Sequence, residues 1–373
     1  MRQEIISQAK RVVLKIGSSM IASKDRGVNA SRIDALAQEV CFLKGKGCQV
    51  VMVSSGAIAS GLEPLGLSHW PQDIALKQAA AAVGQSRLMW SYERAFHPLG
   101  QKVAQILLTH EDLSQRRRFL NARNTLLTLL GRGVIPVINE NDTVSVEEIQ
   151  FGDNDLLAGM VAHLVDAHLL VILSDVDGLY TRDPKEDPKA EMLRVVSEVT
   201  PEIERLAGES TTTEGTGGMA SKIRAAKQAA AYGVSTIMIN GRQDQILTRL
   251  FEGEDLGTLF LPHPSRLKSR KHWIAYTRRC KGRVYLDAGA VEALLQKGKS
   301  LLPSGIVKVD GEFEGGDAVG CVDEKGVEVA RGLVSYSSRE IEKIRGCRTT
   351  DIEKRLGYKF SDEVIHRDNL VIL

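Results

Sequence analysis

The sequence predicts an α/β protein: an open, mostly parallel, doubly wound sandwich followed by a small β-barrel-like domain. Three observations carry that expectation. Up to about residue 260, runs rich in Val, Ile and Leu alternate with helical patterns. Most of those runs are apolar on both faces, which suits parallel strands covered by helices on either side. After about residue 280 the texture changes to short strand-like runs punctuated by Gly, with turn signals roughly every eight to twelve residues.

The strand candidates of the first part are RVVLKIG from Arg11, QVVMVSS from Gln49, KVAQILL from Lys102, VIPVIN from Val134, HLLVILSD from His168 and STIMIN from Ser235. Ile33, Leu36, Ala37, Val40 and Leu43 recur at helical spacing, as do Met219, Ile223, Ala226 and Ala230. Sheets of this kind bind ligands beyond the carboxyl ends of their strands. Functional residues are therefore expected just after each run. The second part contains GRVYLDAGA, SGIVKVDGEF, GGDAVGCVDEKG and EVARGLVSYSS, interrupted by a helical AVEALLQKG. The boundary is expected between Leu261 and Cys280. The tail RDNLVIL ends apolar and is expected to dock. There is no internal repeat.

The 373 residues suffice for two or three domains of ~100–200 residues each. The apolar share of 43% and charged share of 26% exclude a disordered chain, a coiled coil or a collagen-like repeat. No apolar run approaches the ~18 residues of a membrane span. The N-terminus reads directly into a strand without a signal segment, so a cytoplasmic location is expected. Five scattered cysteines without a C-x-x-C pair favour buried or idle thiols over disulfides or zinc. The histidines lack H-E-x-x-H spacing, and Ser55-Gly56 is not a G-x-S-x-G elbow. A zinc enzyme or a serine hydrolase is thereby disfavoured, and His163 and His168 are expected to be structural. With 49 Lys+Arg and 47 Asp+Glu the net charge is +2. From Leu267 onward 20 basic and 16 acidic residues give +4, leaving −2 for the rest. The steepest run, Arg266 to Arg283, has eight basic residues and no acidic one. A solvated linker is the favoured reading of it over a polyanion patch.

Four strand ends carry residues suited to phosphates or zwitterions. Lys15-Ile16-Gly17-Ser18-Ser19 offers an ammonium, a glycine that lets backbone approach closely, and two hydroxyls. A surface lysine beside a turn is the alternative. Ser54-Ser55-Gly56-Ala57 leads into a helix, as an anion-favouring N-terminus or as a tight turn with capping serines. Asn139-Glu140-Asn141-Asp142 follows a buried-type strand, and Phe151-Gly152-Asp153-Asn154-Asp155 opens the next helix. These clusters suit a small zwitterion, although Asp153 and Asp155 also read as caps. Ser174-Asp175-Val176-Asp177-Gly178 is either a turn with Gly at positive φ or the wall of a nucleotide pocket. Finally, Gly215-Thr216-Gly217-Gly218-Met219-Ala220-Ser221-Lys222 opens a helix. It is not a Walker A loop, but a lysine one turn into the helix favours a phosphate site over a flexible cap.

Taken together, VVLKIGSS, VSSGAIASG, AAVGQSRLM, RFLNARNTL, VIPVINENDTVS, FGDNDLLA, LSDVDGLYTRDP and GTGGMASKIRAA resemble the amino acid kinase family, in order and over nearly the whole chain. The part from about Cys280 to Tyr358 resembles a PUA domain. Ser18, Ser174 and Ser221 stand where threonine is usual, and each keeps a hydroxyl. The resemblance implies a kinase domain over residues 1–262, a basic linker over 263–279, a PUA domain over 280–358 and a tail over 359–373. It further implies ATP- and Mg²⁺-dependent phosphorylation of the side-chain carboxylate of L-glutamate, the first step of proline biosynthesis. By resemblance, Lys15 and Lys222 contact the transferring phosphoryl group and Asp155 orients them. Ser174, Asp175, Thr216, Gly217, Gly218, Met219, Ala220, Ser221 and Lys222 line the ATP site. Ser55, Asp142 and Asn154 bind glutamate, and no residue is assigned as a metal ligand. Also implied are proline as an inhibitor overlapping glutamate, with residues 143–150 as a candidate mobile loop, a dimer or tetramer, and association with glutamyl phosphate reductase. A carboxylate with an ordinary pKa of ~4.3 is already ionised near neutrality, so no general base is needed. Two rival readings stand beside this one. The first is another kinase of the same fold, acting on N-acetylglutamate, aspartate, carbamate or a nucleoside monophosphate. The second is RNA binding through the C-terminal domain.

Overall fold

A computed structural model of the chain describes residues 1–21, 27–144, 154–184, 187–206, 218–262 and 280–373. The chain divides into two compact units, Met1–Pro264 and Ser265–Leu373.

In the first unit the six apolar runs become β1 (Arg11–Ile16), β2 (Gln49–Ser54), β3 (Val103–Leu108), β4 (Ile135–Glu140), β5 (Leu169–Ser174) and β7 (Ser235–Asn240). Two short strands, β6 (Val195–Val196) and β8 (Thr258–Phe260), are added at one edge. The order is β3-β4-β2-β1-β5-β7-β8-β6, and every neighbouring pair is parallel except β7 with β8. The continuous apolar runs have a direct physical cause. Val12, Leu14 and Ile16 enter one core with Met52 and Val171, while Val13 enters a second core with Val51, Val53 and Ile172. Both faces of each central strand are thus buried. The helices Ala30–Gly45 and Ile74–Phe96 cover the first face through Ile33, Leu36, Leu88 and Tyr92. The helices Arg116–Gly131, Asn154–Leu164 and Met219–Ala231 cover the second through Leu126, Leu157 and Ala225.

The first helical stripe is buried as expected from Ile33 to Leu43, behind an Asn29 cap that accepts the Arg32 N–H. The second differs. Ala230 is only half-buried and Ala225 and Ala229 are buried instead. The Met219–Ala231 helix is wedged between two apolar clusters, so two of its faces are covered. Gly178 also departs from the positive-φ turn: its φ is not in the left-handed region. A Cβ there would lie 2.6 Å from Met192 Sδ and 2.7 Å from Thr258 Oγ1, so close packing demands the glycine. Two further glycines let helices touch backbone to backbone. A Cβ on Gly61 would lie 1.9 Å from the Ala80 carbonyl oxygen, and one on Gly84 1.8 Å from that of Ala57. This contact presses the Ile74–Phe96 helix against the short Ala57–Leu62 helix that leaves β2.

The second unit is a five-stranded sheet ordered β10-β9-β11-β12-β13. Its strands are β9 (Gly282–Leu286), β10 (Ile306–Gly311), β11 (Ala318–Val322), β12 (Glu328–Leu333) and β13 (Leu370–Ile372), with the helix Ala288–Leu295 between the first two. The pairs are antiparallel except β9 with β11. Val284, Leu286, Cys321, Tyr336, Ile341 and Ile365 fill its core. The apolar tail docks as β13 against β12, and the Tyr336 hydroxyl accepts the N–H groups of Phe360 and Ser361. Residues beyond 358 therefore complete this unit.

Candidate active site

Three neighbouring strands, β2, β1 and β5, end together in Ser54-Ser55, Ile16-Gly17 and Ser174-Asp175. Lys15 follows Val13 on the face covered by the Asn154–Leu164 helix, whose second residue is Asp155. The Lys15 ammonium lies 2.6 Å from Asp155 Oδ1. Lys222, in the second turn of the Met219–Ala231 helix, brings its ammonium to 3.4 Å from Asp155 Oδ2. The Ser221 hydroxyl donates to the same oxygen at 2.7 Å. Asp155 is 1% exposed, Lys15 5% and Lys222 8%. Burial pushes the Asp155 carboxyl up, but the two ammonium charges and the hydrogen bonds from Lys15 and Ser221 outweigh it, so its pKa is held below the ordinary value. One ionised carboxylate thereby fixes two lysines that are remote in sequence. Around it the positive charge exceeds the negative by one, in a site where little water screens it.

Beside this charged cluster lies a neutral one. The Asn154 amide donates from Nδ2 to Ser55 Oγ at 2.9 Å and to Asn139 Oδ1 at 3.1 Å. Asn139 Oδ1 also accepts the Glu140 backbone N–H at 2.9 Å, and Asn139 Nδ2 donates to Gln85 Oε1 at 2.8 Å. Within this row of side chains, two buried atoms have no hydrogen-bond partner among the described residues: the acceptor Asn154 Oδ1 and the donor Gln85 Nε2. Behind it, Ser54 Oγ and the Tyr92 hydroxyl are 2.9 Å apart, and full burial pushes the Tyr92 phenol up.

The other expected site residues are placed as follows. Ser174 is buried at the end of β5, with its hydroxyl 3.4 Å from Asp175 Oδ1, while Asp175 is exposed. Gly218 is the N-cap of the lysine-bearing helix, and Met219 and Ala220 form its first turn, half-buried. Asp142 sits, half-buried, in the turn directly after β4. Thr216, Gly217, Asp153, most of the 143–150 loop and the basic stretch up to residue 279 lie outside the described residues. His163 stacks on Tyr232 at 3.9 Å, and His168 Nδ1 accepts the Arg11 backbone N–H, both structural contacts. All five cysteines are free thiols. Gln85 had no assigned role in the sequence, and Asn139 was only part of a polar run. A signal for Gln85 was available: it sits at helical spacing between Ala81 and Leu88, on the buried stripe of its helix. A polar residue there requires a partner.

The profile described as "Amino acid kinase family" matches residues 10–240. The chain belongs to the amino acid kinase family. Its C-terminal part matches the PUA domain profile over residues 282–356. Within the amino acid kinase family, the chain is 52% identical to the glutamate 5-kinase of Syntrophotalea carbinolica, over 100% of both chains. It is 53% identical to that of Geobacter sulfurreducens, again over 100% of both. At that identity and coverage it falls among the family's glutamate 5-kinases. Among solved structures, the UMP kinase of Bacillus anthracis aligns over 68% of this chain and 96% of its own, at 17% identity and a TM-score of 0.48. That likeness is too loose to assign any residue.

Proposed function

We propose that this amino acid kinase transfers the γ-phosphoryl group of ATP to the γ-carboxylate of L-glutamate, giving L-glutamyl 5-phosphate, the first step of proline biosynthesis. The observation that carries the reading is Asp155 holding the Lys15 and Lys222 ammonium groups together at the carboxyl end of the sheet. A carboxylate oxygen attacks Pγ, the new O–P bond forms, and the bond from Pγ to the β,γ-bridging oxygen breaks to release ADP. No proton is exchanged, so the absence of a general base from the reading costs nothing. The difficulty is electrostatic, because one anion approaches another. At ~4 Å and an effective dielectric of ~20, each favourable unit pair contributes about 4 kcal/mol. Lys15 and Lys222 lower the barrier by that route once substrate is positioned. Mg²⁺ arrives with ATP as part of the substrate. In this reading the ion is held mainly by the phosphates and water.

In this reading Ser174, Asp175 and Thr216 through Lys222 hold the nucleotide, and Ser55, Asp142 and Asn154 hold glutamate. Asn154 Oδ1, a buried acceptor without a donor, suits an α-ammonium group, and Asp142 supplies the countercharge. The test is ATP-dependent trapping of the acyl phosphate as a hydroxamate. Glutamate should be the preferred acceptor over aspartate, N-acetylglutamate, carbamate and UMP. Turnover of one of those with none of glutamate overturns the proposal. Proline as an inhibitor at the acceptor site, a homo-oligomer, a cytoplasmic location and association with glutamyl phosphate reductase extend the same reading. Proline should raise the apparent KM for glutamate and leave that for ATP unchanged. RNA binding is the weaker reading, because Lys281 and Arg331 of the second unit are already paired with Asp317 and Glu328. No retardation of structured RNA at low salt is expected.

A further inference from the structure

The amide chain beside the catalytic lysines has a fixed polarity, and its origin is a backbone group. The Glu140 N–H can only donate. Asn139 must therefore present Oδ1 to it, at 2.9 Å. That choice turns Asn139 Nδ2 toward Gln85, whose Oε1 accepts at 2.8 Å. It also leaves Asn139 Oδ1 as the acceptor for Asn154 Nδ2 at 3.1 Å. Asn154 consequently has both its donor hydrogens committed, to Asn139 and to Ser55, and its Oδ1 is left as a bare acceptor. Each amide orientation follows from the previous one, so none is an arbitrary assignment.

Gln85 closes this chain from a different helix. It projects from the Ile74–Phe96 helix, which the Gly61 and Gly84 contacts hold against the helix leaving β2. Without an acceptor at position 85, Asn139 Nδ2 would be buried with no partner. The Asn139 side chain would then turn away to satisfy it, releasing Asn154. We infer that Gln85 is a positioning residue for the acceptor site: it locks the Asn139–Asn154 amides so that Asn154 Oδ1 faces the ammonium group of an α-amino acid substrate. Gln85 itself need not touch the reacting atoms. The inference deepens the proposed function and rests on it for the identity of the acceptor.

The experiment compares the wild-type chain, Gln85→Met and Gln85→Glu. Methionine keeps the length of the side chain and removes its hydrogen bonding. A buried glutamate is pushed toward its neutral form, which retains both an acceptor for Asn139 Nδ2 and a donor. Wild-type turnover across the acceptor panel tests the acceptor class by itself. The variants are then compared on the winning acceptor and on its deaminated analogue, glutarate for glutamate. Gln85→Met should raise KM for the amino acid at least tenfold and leave KM for ATP within twofold. Its preference for glutamate over glutarate should fall by at least fivefold. Gln85→Glu should restore both toward wild type. A Gln85→Met enzyme with unchanged acceptor KM, equal rises in both KM values, or a Gln85→Glu enzyme as impaired as Gln85→Met would each overturn the lock while leaving the glutamate assignment intact. A winning acceptor that carries no ammonium group would overturn both.

Discussion

Two adjoining halves of the site are built on opposite principles. The phosphoryl half is charged and internally satisfied: Asp155 engages Lys15, Lys222 and Ser221 at once. The acceptor half is built on an uncharged and incomplete row: Ser55, Asn154, Asn139 and Gln85 are hydrogen-bonded in turn, yet Asn154 Oδ1 and Gln85 Nε2 are buried without partners among the described residues. Under the proposed function, the contrast follows from what each half would handle. Two ammonium groups held close together repel, so a carboxylate must stand between them before substrate arrives. A zwitterion needs oriented dipoles, and dipoles can be held by each other while one end is kept unpaired. The catalytic half should therefore set kcat, and the amide half should set KM for the acceptor.

The comparison is broken most severely by removing a lysine. Lys15→Ala or Lys222→Ala should lower kcat by at least a thousandfold, ~4 kcal/mol of barrier, in line with the loss of one cation near a developing charge. Near-wild-type turnover by both variants in the hydroxamate assay would remove the electrostatic account. Next in size is Asp155→Asn. It leaves two buried ammonium groups facing each other, and breaking a buried ion pair from one side costs about 3–5 kcal/mol of stability. Urea unfolding should show that loss, together with a fall in kcat of at least a hundredfold. If kcat fell with no change in stability, Asp155 would be acting on substrate rather than on the lysines.

On the acceptor side, Asp142→Ala and Asn154→Ala should raise KM for glutamate by about tenfold to a hundredfold, the ~1.5–3 kcal/mol of a hydrogen bond to a charged group. KM for ATP should stay within about twofold in the same measurements. Parallel rises in both constants would erase the division of labour between the halves. The smallest effect is on pH. A carboxyl whose folded pKa is depressed stabilises the fold fully above its unfolded value, ~3.9, and that contribution disappears as pH falls through the folded pKa. The stability gap between wild type and Asp155→Asn should hold from pH 7 to about 5 and narrow on further acidification. A gap that widened in acid would mean that the sign of the Asp155 shift is wrong.

Much of this arrangement is legible in the sequence alone. β1, β2, β4, β5 and β7 announce themselves because strands buried on both faces run apolar through their centres, with polar residues gathered toward their ends. β6 and β8 do not, because two or three residues are too few to carry a period. Lys15, Asp155 and Lys222 stand in conspicuous strand-end and helix-start motifs. Gln85 sits mid-helix in an alanine-rich stretch, and its place on the buried stripe calls for a partner without saying which one. Gly178 was misleading for a related reason: a turn residue and a residue squeezed by Met192 and Thr258 look alike in one dimension.

Left to itself, the order of amino acids determined the layered α/β architecture, the separate strand-rich unit after it, and the chemical types gathered at the strand ends. Those properties follow from local periodicity and composition, which neighbouring residues express together. Tertiary structure alone decided that one carboxylate holds two distant lysines, that a backbone N–H at Glu140 dictates the orientation of Asn154, and that Gln85 belongs to the site. Such pairings depend on which strand ends the sheet brings side by side, and on helices close enough for a carbonyl oxygen to meet a glycine. Chain distance carries no record of either.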